Sequence, residues 1–491
     1  MFSEIKKTIK HTAIYSFGNI STKIVGFILL PLYTNYLLPE DYGILIILQT
    51  ILQILIGVFG FNLPTAMMRW YASEKNVKTR NSIVFSTLFS STIISVILSL
   101  ILIPFSKEFS LYWFSTDQFS NYFIFLFLAS SAGIISNVPL NVIRLKELPK
   151  FYVILSVLRF TTIILLNIYF VAYAKMGVEG IMISEFLGSL IVIVLSLPIL
   201  IKDSNFILNM KILKEMFIFG YPLVFSTVFS FVLTLGDRFI IESIDGVASV
   251  GVYSLGHKIA SVINMLILQS FQLGFLPLAY KKLGTPNDKR YFSKILTYYT
   301  TLLAFSVLGI SMFGKEILEI LVKNHEYWLA STVIPIIAFS FLIRGLQYNF
   351  SLSFHFEKKT GYVTTIIVIT SIINILLNFI LIKEIGFLGA AYSLLISSII
   401  MMFLSYHYGQ KVYRIPYELM KISKIVAISL LLYLLSFLLS DKGLLVNLIF
   451  KTLLIISFPI IVYKASIFEE IEISSLKRGV HDLTNRFKRK R

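Results

Sequence analysis

Among the ionisable residues inside long apolar stretches of this chain, six are candidates for chemistry: Lys23, Arg159, Glu185, Asp237, Lys258 and Arg344. A charge at mid-bilayer costs about 3 kcal/mol or more, so it needs a partner, a water-filled cavity or a ligand. The neighbours at helical spacing describe the setting of each. Ser340, Arg344, Gln347 and Ser351 form one polar stripe on an otherwise apolar helix. Ser254, Lys258, Ser261, Met265, Gln269 and Gln272 form another. Ser16, Asn19 and Lys23 give a third, and Ser156, Arg159 and Thr162 a fourth. Facing inward, four such stripes make a cationic, water-filled cavity. Its chemistry is the capture of an anion by charge-assisted hydrogen bonds. The expected substrate-binding set is Lys23, Arg159, Lys258 and Arg344, with Asn19, Gln347, Gln269 and Gln272 beside them.

Pairing between charges is the simpler reading of each residue. Seven basic side chains fall within the spans (Lys23, Arg69, Arg159, Arg238, Lys258, Arg344, Lys451) against two acids, Glu185 and Asp237. Two acids cannot neutralise seven cations. Arg69 and Lys451 lie near span ends and are read as snorkelling to the interface. Asp237-Arg238 is either a local helix-end ion pair or a substrate or proton site. Glu185 is either the partner of a neighbouring cation or a protonatable ion-coupling group. Enzymatic constellations are missing. There is no cysteine, no G-x-x-x-x-G-K-[ST] phosphate loop, no H-E-x-x-H metal helix and no G-x-S-x-G elbow. The expectation is a transporter, not an enzyme, with no cofactor and no metal, driven by a substrate or ion gradient.

The elements that position these residues are membrane spans. Of the 491 residues, 56% are hydrophobic, and mean hydropathy is +0.82, where soluble chains are about 45–50% apolar. A spanning helix takes about 20 apolar residues. Fourteen such stretches are expected, at 12–36, 43–71, 82–105, 120–142, 151–173, 178–201, 213–241, 248–278, 291–313, 328–354, 361–382, 387–408, 420–440 and 443–463. The loops between them alternate in charge. One set, with the N-terminus and the tail, holds 31 of the 44 Lys and Arg against 12 acids; the other holds 6 against 12. Lys and Arg near span ends stay cytoplasmic, so both termini are expected in the cytoplasm. The N-terminal segment, Met1 to His11, has no small-residue cleavage site. The net charge of +18 is spread over loops and tail rather than gathered in one module. That distribution argues for anionic lipid at the basic tail and against nucleic acid.

The chain also repeats itself at a lag of about 210 residues. Gly177-Val-Glu-Gly180-Ile-Met-Ile-Ser184 corresponds to Gly386-Phe-Leu-Gly389-Ala-Ala-Tyr-Ser393. Tyr152-Val153 corresponds to Tyr362-Val363, and Phe17-Gly18 to Phe219-Gly220. An even number of spans per half gives parallel repeats. The expected architecture is an all-α polytopic membrane protein with two six-helix lobes, 1–202 and 203–411. A terminal helix pair, 412–464, and a basic tail, 465–491, complete it.

Two segments carry a family resemblance. The first hairpin reads Pro31-Leu-Tyr-Thr-Asn-Tyr-Leu-Leu-Pro39-Glu40-Asp41-Tyr42-Gly43. The second half opens with Gly236-Asp237-Arg238-Phe239-Ile240-Ile241, then Val250-Gly251-Val252-Tyr253-Ser254 and Lys258-Ile259-Ala260. The chain resembles the O-antigen-type (Wzx-type) lipid-linked oligosaccharide flippases of the multidrug/oligosaccharidyl-lipid/polysaccharide exporter superfamily. The resemblance implies an oligosaccharide on undecaprenyl pyrophosphate, moved from inner to outer leaflet of the bacterial plasma membrane by alternating access. It also implies proton or sodium coupling and a polysaccharide polymerase as a working partner. A pyrophosphate suits a cationic cavity. Within the same superfamily, drug and toxin exporters and peptidoglycan-precursor flippases are the rival readings. A membrane polysaccharide polymerase is the rival from another class, resting on Glu40-Asp41, but no loop exceeds roughly twenty residues.

Overall fold

In hydrocarbon every backbone N–H and C=O must be satisfied within its own segment or a closed barrel, and this chain takes the helical solution. The computed structural model describes residues 27–203, 206–359, 361–439 and 442–467, and no strand occurs among them. Among the described residues, thirteen helical stretches are long and apolar enough to cross a bilayer. They match the second to fourteenth expected spans. The first, 12–36, is described only from residue 27. Lys23 and Asn19 therefore lie outside the described residues, as does the basic tail from residue 468.

Prolines and glycines divide the spans into helices. After α1 (Leu30–Tyr36) come α2 (Pro39–Phe59) and α3 (Leu63–Ser73), where one unbroken span over 43–71 is expected. Pro64 has no N–H to continue the ladder, and Phe61 and Asn62 take left-handed φ of 47° and 50°. The exposed carbonyl of Phe61 is packed by Gly220, where a Cβ would come within 2.1 Å of it. Next are α4 (Val77–Leu102), α5 (Ser106–Phe114), α6 (Ser120–Leu145), α7 (Pro149–Asn167) and α8 (Gly177–Asp203). The Asn76 side chain caps α4 by accepting from Lys78 N at 2.9 Å. The expected seventh span becomes α9 (Met210–Leu235) and α10 (Asp237–Asp245), and the eighth becomes α11 (Val247–Ala260) and α12 (Gln269–Lys282). A π-helical turn, Asn264–Leu268, precedes α12. The polar stripe from Ser254 to Gln272 is thus not one straight face, since a π turn adds a residue and rotates the next helix about its axis. Then come α13 (Asp288–Leu321), α14 (Ile334–Phe356), α15 (Gly361–Ile385), α16 (Phe387–Val412), α17 (Leu419–Leu435) and α18 (Leu444–Lys464).

The helices pack as two compact units. The first is Met1–Ile259 with Ile317–Val333 and Thr364–Ser397. The second is Ala260–Glu316, Ile334–Val363 and Ser398–Arg491. In the first, Leu63, Met67, Val84, Val142 and Met216 form a buried cluster. In the second, Phe275, Phe292, Leu352 and Phe356 do so. Many large apolar side chains point outward, among them Leu100 at 71% and Ile320 at 80% exposure. Such a surface would be a liability in water and is the normal one against lipid.

The two resemblance segments meet in the first unit. A Cβ on Gly43 would lie 2.0 Å from the Val247 carbonyl oxygen, and one on Gly251 would lie 2.1 Å from that of Pro39. A glycine, with no Cβ, is what lets one backbone approach another this closely. Tyr327 also donates to the Leu37 carbonyl at 3.0 Å, holding the entry to α2.

Candidate functional site

A cavity of about 420 Å³ lies within the first unit, walled by α1, α2, α6, α7, α8 and α11. Small residues set its width. Gly133 of α6 seats Ile56, and Gly188 of α8 seats Ile163 of α7, where a Cβ would fall 2.5 Å from either side chain. The α7–α8 approach brings Arg159 toward Glu185.

Three cations and one carboxylate line the cavity: Arg144, Arg159, Lys258 and Glu185. Arg159 donates to the Ser189 hydroxyl at 3.3 Å. Its distance to Glu185 is 3.9 Å, with side chains 29% and 27% exposed. That is an ion pair too long for a hydrogen bond and partly exposed, so Glu185 offsets the Arg159 charge only weakly. Arg144 donates to the Tyr152 hydroxyl, and its guanidinium lies 4.7 Å from the Tyr152 ring centre. Lys258 Nζ lies 5.9 Å from the ring of Tyr33 and 6.0 Å from that of Tyr42, at the outer limit of cation–π attraction. Tyr33 is held in turn by Asn167, whose Oδ1 accepts from its hydroxyl at 3.1 Å. The tyrosines of the first hairpin segment thus flank the lysine of the second.

Of the expected binding residues, Arg159 and Lys258 share this cavity with Glu185. Lys258 on α11 sits there with Arg159 on α7 and Glu185 on α8. Arg344, half-buried on α14, belongs to the second unit, with Gln347 one turn on and donating to the Ser405 hydroxyl at 3.1 Å. Gln269 and Gln272 open α12 in that same unit. Asp237 does not line the cavity. It is buried, accepts from Arg238 at 2.7 Å and from the Tyr253 hydroxyl, and Arg238 also donates to the Thr234 carbonyl at 3.0 Å. The local ion pair is the arrangement found.

Lys451 does not snorkel. It is 8% exposed and hydrogen-bonds Glu316. Glu316 in turn lies within α13 rather than in a loop. The reason is distance: Lys451 sits eight residues into α18, beyond the reach of its stem to the end of the helix.

Sequence reasoning missed Arg144, placed in a loop, and the amides Gln49, Asn137 and Asn141. A signal was present. Asn137, Asn141 and Arg144 recur at i, i+4 and i+7, which is one face of a helix, and α6 runs through Leu145.

Comparison with known proteins places this geometry. The model of the family described as "Polysaccharide biosynthesis protein" matches residues 8–281, and the MatE family model matches residues 222–380. A relative, the capsular polysaccharide biosynthesis protein CapF of Staphylococcus aureus, is 26% identical over 208 residues, 41% of this chain and 51% of that protein. The match spans about half the length of that relative. Among solved structures, the lipid II flippase MurJ in an inward closed conformation superposes with a TM-score of 0.75 at 16% identity, covering 93% of this chain and all of that one. An inward-facing multidrug resistance MATE family transporter of the MOP superfamily gives 0.63 at 14% identity, over 83% and 94% of the two chains. A MOP superfamily transporter from Pyrococcus furiosus, described as having a binding pocket of reversed polarity, gives 0.55 at 13% identity over 84% and 96%. These structures share the fold. With more than half of its length matched by the family model, and with thirteen candidate spans among its described residues in a MOP-type fold, the chain belongs to the polysaccharide biosynthesis protein family of membrane transporters.

Proposed function

We propose that this protein flips a lipid-linked, pyrophosphate-bearing oligosaccharide from the cytoplasmic to the outer leaflet of a bacterial plasma membrane. One observation carries the reading: Arg144, Arg159 and Lys258 converge on a cavity that, among the described residues, is lined by a single carboxylate, Glu185. A site for cationic drugs would need the opposite balance. Guanidinium and ammonium groups bind phosphate oxygens by charge-assisted hydrogen bonds, each worth about 1.5–3 kcal/mol. The alternating charge of the loops supports cytoplasmic termini.

The remaining residues take places in the same scheme. Two six-helix lobes, 1–202 and 203–411, alternate access, with the lipid tail left in the bilayer and the pair 412–464 appended. Arg344, Gln347, Gln269, Gln272, Lys23 and Asn19 would join the headgroup path as the lobes move. Glu185, weakly paired to Arg159, is the candidate for proton or sodium coupling. Anionic lipid holds the basic tail, and a polysaccharide polymerase receives the product. A peptidoglycan-precursor flippase is the second reading, favoured by the likeness in fold to the lipid II flippase structure.

The test is to delete the gene and measure, in inside-out and right-side-out vesicles, which leaflet holds lipid-linked oligosaccharide. Retention on the cytoplasmic face, relieved by wild type but not by Arg159→Gln or Lys258→Gln, is the expected result. Accumulation of peptidoglycan precursor instead selects the second reading. Complete units reaching the outer face unpolymerised would overturn both in favour of a polymerase.

A further inference from the structure

The charges of the cavity leave a second chemistry on its walls unexplained. Asn137 and Asn141 stand one turn apart on α6, on the face that carries Arg144, and Gln49 enters from α2. Asn141 Nδ2 donates to the Asn137 carbonyl at 2.8 Å, which orients the Asn141 amide along the helix. No hydrogen bond joins the side-chain amides of Gln49 or Asn137 to a described residue. Polar groups in such a setting ordinarily find partners, so these two require water or a ligand.

An anion does not account for them. Phosphate oxygens only accept, and Arg144, Arg159 and Lys258 only donate, so the cations suffice for a phosphate. An amide both donates and accepts. The ligand group that does the same, repeatedly and without charge, is the hydroxyl or acetamido group of a sugar. The α6 amides, Asn137 and Asn141, lie four residues or about 6 Å apart along the helix, and with Gln49 from α2 they form a wall rather than a point.

We propose that Gln49, Asn137 and Asn141 form a sugar-recognition subsite beside the cationic one, and that it sets which saccharide is carried. The inference rests on the flippase reading above. It separates two tasks: the cations hold what all lipid pyrophosphates share, and the amides read what differs between them. Sites built to hydrogen-bond a hydroxyl discriminate strongly against ligands that lack it, because the site's own polar groups are then left unpaired.

The experiment measures binding of two probes to the purified full chain in nanodiscs: farnesyl pyrophosphate, and farnesyl pyrophosphate carrying N-acetylglucosamine. The expected wild-type result is tighter binding of the glycosylated probe, by about tenfold, equivalent to about 1.4 kcal/mol. Asn137→Leu and Asn141→Leu, close in shape to the native residues, should lose that increment and keep their affinity for the bare probe. Retained affinity for the bare probe also shows that the variants fold. Gln49→Met tests the facing wall, so the result does not depend on α6 tolerating leucine. Amide variants that keep the increment, or a wild type that binds both probes equally, would overturn the subsite and leave the anion reading intact. Binding of neither probe would overturn the anion reading and the subsite with it.

Discussion

Glu316 on α13 and Lys451 on α18 form a buried ion pair, with side chains 9% and 10% exposed. Both residues lie in the second unit, where the contact joins α18 to α13. Removing one partner of a buried pair strands the other charge in low dielectric, at about 3–5 kcal/mol. Lys451→Met should lower the melting temperature of the detergent-solubilised protein sharply. The double variant Lys451→Met with Glu316→Leu should recover most of the loss, since a well-packed apolar pair replaces the ionic one at little net cost. A double variant as unstable as the single would show that the charges are needed for themselves.

Gly251 tests the backbone contact between α11 and α2. A Cβ there meets the Pro39 carbonyl at 2.1 Å, a main-chain atom that cannot rotate away. Gly251→Val should therefore force the two helices apart, with a stability loss in the range of core overpacking, about 1–3 kcal/mol. Gly274 on α12 is the control. It is helical with nothing within 4 Å of a built Cβ, and Gly274→Ala should be neutral or stabilising by about 0.5–1 kcal/mol. Thermal melts of the two variants side by side decide the matter.

Glu418 ties the start of α17 to α13. Its carboxylate accepts from Thr297 at 2.8 Å and from Lys421 at 2.9 Å, and lies 3.0 Å from Lys294. Burial pushes the carboxyl upward, but the hydrogen bonds from Lys421, Lys294 and Thr297 outweigh it and hold the group below its ordinary range. A depressed carboxyl contributes its full stability above the unfolded value, about 4.3. The contribution fades as pH falls through the lower folded value. Melting temperature should therefore drop between about pH 5 and pH 3, and Glu418→Gln should drop less across that window. Equal acid sensitivity in both proteins would place the titrating group elsewhere.

Asp237, Arg238 and Tyr253 form a buried triad in the first unit. A structural role predicts that Asp237→Asn costs about 3 kcal/mol, for a buried arginine left without its carboxylate. Tyr253→Phe should cost about 1–3 kcal/mol, for an acceptor left unsatisfied. Both changes read out as lost thermal stability. A proton-carrying role would appear instead as normal melting behaviour with transport no longer responsive to the pH gradient.

Much of the fold was legible because the bilayer constrains it. Thirteen expected spans correspond to helices, since apolar length alone decides a crossing. Breaks within spans were less visible. The turn at Phe61-Asn62 is explained by Pro64, which the sequence shows, but the π turn at Asn264–Leu268 has no breaker residue to announce it. Within the candidate site, Arg159, Glu185 and Lys258 were readable as lone charges in apolar surroundings. Arg144 was not, because a basic residue near a span end is ordinarily a topological signal. Glu316 was hidden in the same way, as an acid counted among the loops.

The sequence by itself determined the class of protein, the number and order of most spans, the alternating charge of the loops and the excess of buried cations over acids. These are local or summed properties, set by hydropathy and by the cost of charge in hydrocarbon. The tertiary structure decided the partners. It joined Lys451 to Glu316, closed Asp237 onto Arg238 and Tyr253, and set Tyr33 and Tyr42 around Lys258. It also brought the Asn137–Arg144 face of α6 against Arg159 in one cavity. Apart from the neighbours Asp237 and Arg238, these pairings link residues separated in the chain, and they depend on which helix faces meet. That choice rests on close approaches at Gly43, Gly188 and Gly251, whose meaning appears only when their neighbours are in place.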